Sequence, residues 1–229
     1  MPITYGGEMK RRILMLMMSA FAASAIVGCK SGTVKVPPYG ICENIAMDYN
    51  GSHDKFTHGE LDLMKEAKID WVRTDFDWSR IQPKKGEWDF KVVDESVQWA
   101  EESGVTVLPI LNRSSPWASP AYRNIDEWLE FVRMTVSRYK GRLHYWEVWN
   151  EENLSSSQDK ITDPILYAYF LKRTYQEIKK ADPGSKVLIG GLSCIPYDYL
   201  EAFYKAEGKG AFDIMNIHPY ALQDRKSVV

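Results

Sequence analysis

The chain has 229 residues, of which 45% are hydrophobic and 26% charged, a composition typical of a globular protein and unlike that of a disordered or collagen-like one. Its 29 Lys and Arg residues nearly balance 31 Asp and Glu residues, and this net charge of −2, without a basic stripe, gives no sign of a nucleic-acid partner. Three Cys residues without paired spacing fit neither a disulfide framework nor a zinc ribbon.

The N-terminus is typical of an export signal. Lys10, Arg11 and Arg12 precede an apolar run over residues 13–27, which is too short for a typical membrane-spanning helix. We therefore predict a signal peptide over residues 1–29 and a short tether over residues 30–38. Residues 26–29 resemble a bacterial lipobox, which implies lipidation at Cys29 and an exported protein at the periplasm or cell surface. No second long apolar run follows, so we expect membrane contact only through the lipid.

From residue 39 onward, apolar runs alternate with segments of helical spacing. The predicted strands are 40–47, 71–75, 105–111, 144–149, 187–191 and 212–218, and the predicted helices are 59–68, 92–103, 125–139, 165–180 and 197–206. Strict alternation of this kind indicates an α/β protein with a parallel sheet, either open or closed into a barrel.

Two features favour a (β/α)8 TIM barrel over an open sheet. Polar and aromatic residues follow the carboxyl ends of several predicted strands, where such barrels build their active sites. No glycine-rich phosphate loop follows the first strand, which disfavours a dinucleotide-binding fold. The predicted strands begin about 34 residues apart, so eight units need roughly 270 residues, in line with the ~250 typical of the fold. We therefore expect only about six βα units in residues 39–229, a partial barrel domain.

The most informative segment is residues 144–151, His-Tyr-Trp-Glu-Val-Trp-Asn-Glu. Alternation along a strand predicts that Tyr145, Glu147 and Trp149 share one face. Asn150 and Glu151 then lie at the carboxyl end of the strand, where side chains enter the site. Hydrolysis of a glycosidic bond needs one carboxyl group to protonate the departing oxygen, and Glu151 is placed for that role.

These residues resemble the acid/base signature of clan A glycoside hydrolases, with most similarity to family 39 and further similarity to family 5. Members usually have Pro where this chain has Glu152. Two further segments are similar to the second and sixth strands of the clan. They are residues 72–90, which include Val-Arg-Thr-Asp-Phe-Asp-Trp at 72–78, and residues 216–220, Asn-Ile-His-Pro-Tyr.

The resemblance implies a retaining hydrolase that cleaves a β-linked poly- or oligosaccharide without a cofactor. Glu151 is then the general acid/base, Asn150 the partner of the substrate 2-hydroxyl, and Arg73 the residue that orients the nucleophile carboxylate. His218 and Tyr220 line the site. The nucleophile itself is expected at the end of a seventh strand, beyond this chain, since Glu177, Glu201 and Glu207 fall on or beside predicted helices.

Other interpretations of these residues remain open. Glu151 can cap the following helix, Arg73 can pair with Asp75 or Glu43, and His218 can be a buried core residue. We predict that the rings of Trp78 and Trp149 contact substrate, although these rings and that of Trp117 can equally pack in the core. Asn112 is a further candidate for substrate contact. Cys42 and Cys194 are expected to be free thiols.

The four His residues show no paired spacing, so we predict no metal site. Two alternative functions stay open at this point. One is a carbohydrate-binding protein that descends from such an enzyme but lacks catalysis. The other is a different exported (β/α)8 enzyme.

Overall fold

The computed structural model describes residues 39–43, 45, 53–154 and 161–219, with side chains given from residue 60 onward in the first helix. The predicted signal peptide, the tether, Cys29 and Tyr220 lie outside the described residues. No helix in the described part of the chain combines the length and the apolar character that crossing a membrane requires.

The described residues form a single parallel sheet with helices between successive strands. The strands are β1 (Gly40–Cys42), β2 (Trp71–Asp77), β3 (Thr106–Asn112), β4 (Tyr145–Asn150), β5 (Lys186–Ser193) and β6 (Ile217–His218). The helices are α1 (His53–Glu66), α2 (Trp78–Ile81), α3 (Lys91–Ser103), α4 (Ile125–Arg138), α5 (Pro164–Ala181) and α6 (Tyr197–Lys205). Two single 3₁₀ turns, Pro116–Ala118 and Ala121–Arg123, lie between β3 and α4.

The strand order is β1-β2-β3-β4-β5-β6, and every neighbouring pair is parallel. Strands that neighbour each other in chain order are the pattern of a (β/α)8 barrel, and the six strands form part of such a barrel. Side chains of β2 and β4 meet across β3, with the rings of Trp71 and Tyr145 only 5.0 Å apart. The sheet therefore curls, and the predicted partial barrel is confirmed.

Local signals in the sequence place the helix ends. Asp163 caps α5, since its carboxylate accepts hydrogen bonds from the amides of Ile165 and Leu166, and Pro164 occupies the first helical turn without losing a bond. Gly104 ends α3 in the left-handed conformation at φ 70°, which glycine adopts without a steric penalty. These ends fix where each strand can begin.

The main core lies between the sheet and the surrounding helices. Its centre is an aromatic layer, which consists of Trp78, Trp128, Phe131, Trp149 and Phe170. The Trp128 ring contacts the other four at centroid distances of 5.1–5.7 Å, and its indole N–H donates to Thr174. This layer fixes α4 and α5 against β4, and β4 carries the residues with the strongest functional signal.

Candidate active site

A network of buried charges lies inside the curled sheet, on the face opposite the aromatic layer. Arg73 on β2 binds Glu147 on β4 through two parallel hydrogen bonds, Nε to Oε2 at 2.7 Å and Nη2 to Oε1 at 2.8 Å. Burial alone would lower the pKa of Arg73, but the Glu147 carboxylate outweighs burial and raises that pKa above its ordinary value. Arg73 therefore stays charged in the structure.

The same guanidinium also orients Asn150. Nη2 of Arg73 donates to Oδ1 of Asn150 at 2.7 Å, and Nη1 donates to the Cys42 sulfur at 3.3 Å. With its oxygen committed to Arg73, the amide of Asn150 directs its NH₂ group away from the arginine. Asn150 thus presents a donor at the carboxyl end of β4. We call this region, formed by the carboxyl ends of β2 to β6, the mouth.

The alternation of side chains between the two faces of β4 was predicted wrongly at the end of the strand. Tyr145 and Glu147 do face the inside of the sheet, but Trp149 does not continue on that face. Its backbone adopts φ 70°, and its side chain joins the aromatic layer against Trp128 and Phe170. Asn150 takes the inward position instead. Trp149 is only 2% exposed, so the prediction that it contacts substrate is corrected to a packing role.

Glu151 follows at the mouth with a second left-handed backbone, φ 54°. Its amide donates to the carbonyl oxygen of Gly191 at 3.0 Å, and Oε1 of its carboxylate lies 2.8 Å from Nδ1 of His218. The Glu151 side chain keeps 16% of its surface exposed, whereas that of His218 keeps 4%. Glu151 and His218, both named from the sequence, are therefore in direct contact.

Gly191 on β5 makes this contact sterically possible. A Cβ atom at Gly191 would lie 2.1 Å from Nε2 of His218, so any larger residue would displace the imidazole. The amide of Gly191 also donates to Oε1 of Glu147 at 2.9 Å. Gly191 thus bonds to Glu147 through its N–H and to the Glu151 amide through its C=O. Because it has no side chain, it also leaves space for the His218 ring.

Asn112 lies at the end of β3, the strand next to β4. Its Nδ2 donates to Oδ1 of Asp75 at 3.2 Å. Burial raises the pKa of Asp75, and the hydrogen bond from Asn112 partly offsets that effect. The pair adds a polar rim to the mouth next to β2.

Trp78 does not reach the mouth. It is fully buried, packs against Trp117, Trp128 and Phe131, and donates its indole N–H to Gln82 at 2.8 Å. The prediction that Trp78 binds substrate is therefore wrong, because the neighbouring side chains cover its ring.

Glu152, the residue that departs from the usual Pro, is also buried. Its Oε2 accepts a hydrogen bond from the amide of Ile161 at 2.9 Å. Next to it, the Asn153 side chain exchanges two 2.9 Å hydrogen bonds with the backbone of Ser193. These contacts anchor the chain directly after Glu151 and so hold the backbone of Glu151 in place.

Sequence reasoning missed Glu147 and Gly191. Glu147 is the carboxylate that forms two hydrogen bonds with Arg73. A carboxylate in the middle of an otherwise aromatic and aliphatic strand is itself a signal, because a buried charge needs a partner. Gly191 carries no comparable signal, since its importance depends on where the His218 ring lies.

The described residues contain no group of three or more His, Cys, Asp or Glu side chains that could hold a metal ion. Cys42 and Cys194 carry thiols rather than a disulfide, as predicted, and burial raises the pKa of the Cys42 thiol.

Comparison with known proteins finds sequence similarity to several glycoside hydrolases. A sequence profile of glycoside hydrolase family 42, described as beta-galactosidase, matches residues 49–116. The chain is 26% identical over 203 residues to endo-1,4-beta-xylanase 2 of Claviceps purpurea, which covers 76% of this chain and 61% of the xylanase. It is 28% identical over 111 residues to the beta-glucosidase-like protein SFR2 of Oryza sativa subsp. japonica, across 42% of this chain and 17% of that protein.

Solved structures show the same fold. A family 39 glycoside hydrolase from Bacteroides cellulosilyticus WH2 superposes with a TM-score of 0.66 at 22% identity, across 79% of this chain and 38% of that one. Xylanase 10B from Thermotoga maritima gives a TM-score of 0.56 at 16% identity, across 78% and 58%. The chain thus resembles clan A glycoside hydrolases and spans less than two thirds of the length of each of these relatives.

Proposed function

We propose that the protein is a retaining glycoside hydrolase that cleaves β-linked poly- or oligosaccharides, with Glu151 as the general acid/base. The observation that carries the proposal is the position of Glu151 at the mouth, next to Asn150 on β4 and 2.8 Å from His218. The similarity to proteins named as beta-xylanases and beta-galactosidases supports the substrate class.

In the first step, the nucleophilic carboxylate forms a bond to the anomeric carbon, the bond to the leaving sugar breaks, and Glu151 donates its proton to the departing oxygen. In the second step, water attacks the anomeric carbon, the bond to the nucleophile breaks, and the Glu151 carboxylate removes a proton from that water. The contact with His218 holds the Glu151 carboxyl group in one orientation through both steps. The left-handed backbone of Glu151 is the kind of local strain that functional sites retain.

Asn150 binds the sugar hydroxyl next to the reacting carbon. Its oxygen is committed to Arg73, so its NH₂ group serves as the donor. Arg73 acts here by orienting Asn150, and its bidentate grip on Glu147 keeps the guanidinium rigid.

A retaining mechanism also needs a nucleophilic carboxylate about 5–5.5 Å from the acid/base. Three glutamates are unsuitable as the nucleophile because each forms an ion pair with a basic residue on the outer helices. The pairs are Glu177 with Arg133, Glu201 with Lys205 and Glu207 with Lys172. Glu147 is fully buried and held by Arg73. We propose that a further glutamate, in a longer protein that contains this sequence, supplies the nucleophile.

The N-terminal sequence supports export. We propose that the protein is a bacterial lipoprotein attached to the membrane through Cys29, so that the barrel meets polysaccharide outside the cytoplasm.

The decisive experiment is Glu151→Gln in the full-length protein, assayed on β-linked oligosaccharides and on aryl glycosides with a good leaving group. We expect the rate on oligosaccharides to fall by about 10²–10⁴-fold, because general acid catalysis is lost. Activated aryl glycosides need less protonation, so formation of the glycosyl-enzyme on them should fall far less.

Glu201→Gln is the matched control, because Glu201 is an exposed carboxylate paired with Lys205 on α6, away from the mouth. It should leave all rates unchanged. Unchanged oligosaccharide hydrolysis in Glu151→Gln would contradict the proposal. Binding of oligosaccharide by the wild-type protein without hydrolysis would favour the carbohydrate-binding alternative.

A further inference from the structure

Strands β4 and β5 each interrupt the regular alternation of side chains near the mouth. In a regular strand, side chains three positions apart face opposite sides of the sheet. In β4, however, Glu147 and Asn150 are three positions apart and both bind Arg73 inside the sheet. In β5, Ile189 and Leu192 are three positions apart and both lie in the main core on the other side. Each strand therefore contains one extra residue, as in a β-bulge.

The two extra residues lie side by side. The pairing of β4 with β5 is regular up to Val148 and resumes where Asn150 pairs with Gly191. Trp149 and Gly190 are the residues that this pairing passes over. Because both strands gain one residue at the same level, they stay in register with each other.

The segment that leads into β6 has no such extra residue, so its register against β5 changes by one. Leu188 pairs with Ile214, and further along the strands Ser193 pairs with His218. If the first register continued, His218 would pair with Leu192, whose side chain lies in the main core. Since paired residues face the same side of a sheet, His218 would then point toward the helices and away from the mouth.

Only glycine fits as the extra residue of β5. A Cβ atom on Gly190 would lie 2.7 Å from the carbonyl oxygen of Val148 and 3.0 Å from the carbonyl carbon and oxygen of Trp149. These are backbone atoms of the neighbouring strand, so they cannot move aside as the end of a side chain can. Tyr167 on α5 adds support from the helix side, because its hydroxyl accepts from the Gly190 amide and donates to the Val148 oxygen.

We propose that Gly190 is a positioning residue, which lets β5 match the extra residue of β4 and thereby turns His218 toward Glu151. Its effect is passed on by the next residue, Gly191, whose missing side chain leaves space for the His218 ring. The effect on catalysis rests on the function proposed above. The effect on the register of β5 and β6 does not.

The test is Gly190→Ala in the full-length protein, with two measurements. In a crystal structure, we expect β5 to shift, and the distance between Nδ1 of His218 and Oε1 of Glu151 to lengthen beyond hydrogen-bonding range. In kinetics, we expect kcat on oligosaccharides to fall by about 10²-fold, the cost of a misplacement of about 1 Å, with little change in KM. Glycosyl-enzyme formation on activated aryl glycosides should fall much less, since it depends least on Glu151.

Gly40→Ala is the matched control. Gly40 begins β1, at the end of the sheet away from the mouth, and a Cβ atom there would lie 2.9 Å from Cβ of Trp71 and 3.3 Å from the Trp71 carbonyl oxygen. The control should lower stability without changing the ratio of the two substrate rates. A purely structural role of Gly190 would give the same pattern, so an unchanged rate ratio in Gly190→Ala would overturn its positioning role in catalysis.

Crystal structures separate this proposal from the proposed function. If the wild-type protein has no glycosidase activity, the proposed function fails, yet the His218–Glu151 distance in Gly190→Ala still tests the positioning role. An unchanged distance would overturn that role. Should Gly190→Ala not fold, a crystal structure of the wild-type protein decides. A change of register by one residue between β5 and β6 at Gly190 supports the proposal, and one constant register along both strands would overturn it.

Discussion

The aromatic layer and the mouth lie on opposite faces of the same strands and are built in opposite ways. In the aromatic layer, large rings from α4, α5 and β4 fill the space between regular elements, and the indole N–H of Trp128 donates a hydrogen bond to Thr174. At the mouth, a buried ion pair, two close-packed glycines and several left-handed residues are brought together. The aromatic layer is held together mainly by side chains that fill space, whereas the mouth is held together by contacts with specific geometry.

This comparison shows that much of the backbone strain in the described residues lies near the mouth. Non-glycine residues with positive φ follow or end three strands, namely Arg113 after β3, Trp149 and Glu151 around the end of β4, and Cys194 after β5. Each such residue costs of order 1–3 kcal/mol and persists only where its surroundings hold it. The rigid aromatic layer supplies that support, so the mouth can present Asn150 and Glu151 in an unfavourable backbone. Substitutions on the two sides should therefore separate stability from activity.

The largest effect is expected from Arg73→Met at the mouth. It leaves Glu147, which is fully buried, without its counter-charge, and loss of one partner of a buried pair costs about 3–5 kcal/mol. Urea unfolding measures this loss. The double variant Arg73→Met/Glu147→Leu should recover most of the stability but none of the activity, because Asn150 still lacks its donor.

Arg142→Met is the control for removing an arginine. Its ion pair with Glu101 is exposed, so the expected loss is below about 1 kcal/mol. A loss as large as that of Arg73→Met would contradict the view that burial makes the Arg73 pair critical.

Gly191→Ala should come next. The new Cβ atom would lie 2.1 Å from Nε2 of His218, so the imidazole must move away from Glu151. Overpacking of this kind lowers the free energy of unfolding by about 1–3 kcal/mol. We expect the fall in kcat, expressed as an activation free energy, to be larger than this loss. Gly184→Ala is the control, since its Cβ atom would meet only Asp182, at an ordinary 3.5 Å. Full activity in Gly191→Ala would show that the His218–Glu151 contact is dispensable.

The smallest effect is expected from Asp94→Asn on the outer side. Burial alone would raise the pKa of Asp94, but hydrogen bonds from Arg138 and Tyr139 outweigh it and lower the pKa. The folded-state pKa is thus below the unfolded value of about 3.9, so the carboxylate stabilises the fold above that pH and loses this contribution as the pH falls through the folded pKa.

Asp94→Asn should therefore lower the free energy of unfolding by up to about 1 kcal/mol at neutral pH, as is typical of such ion pairs. The difference from wild type should shrink below about pH 4, where the wild-type carboxylate becomes protonated. Urea unfolding at pH 7 and pH 3 measures both values. An equal difference at the two pH values, or any change in catalytic rate, would contradict the expectation.

The fold was largely predictable because apolar periodicity and turn residues act locally. The helix predicted over 125–139 is α4, which covers Ile125–Arg138, and the strand predicted over 71–75 extends to Asp77. Two boundaries are less accurate: α1, predicted to begin at residue 59, begins at His53, and β6, predicted over 212–218, is limited to Ile217–His218. The cause is visible at β6. There the Asp213 side chain binds Lys179 and the Val187 amide, which interrupts the strand.

The site was less predictable because its geometry depends on contacts between distant segments. Glu151, Asn150 and His218 were named from the sequence and do meet at the mouth, although no measurement yet tests their roles. Trp149 was misassigned because strand alternation presumes a regular backbone. Only the folded structure shows the left-handed backbone of Trp149, which ends that regularity.

The two anchors that follow Glu151 also have a consequence for protein engineering. The Ile161 amide donates to Glu152, and the Asn153 side chain exchanges hydrogen bonds with the backbone of Ser193, so the chain next to Glu151 is joined to two separate segments. A change confined to one of these segments leaves the other contact in place, and the backbone of Glu151 then keeps one of its two supports.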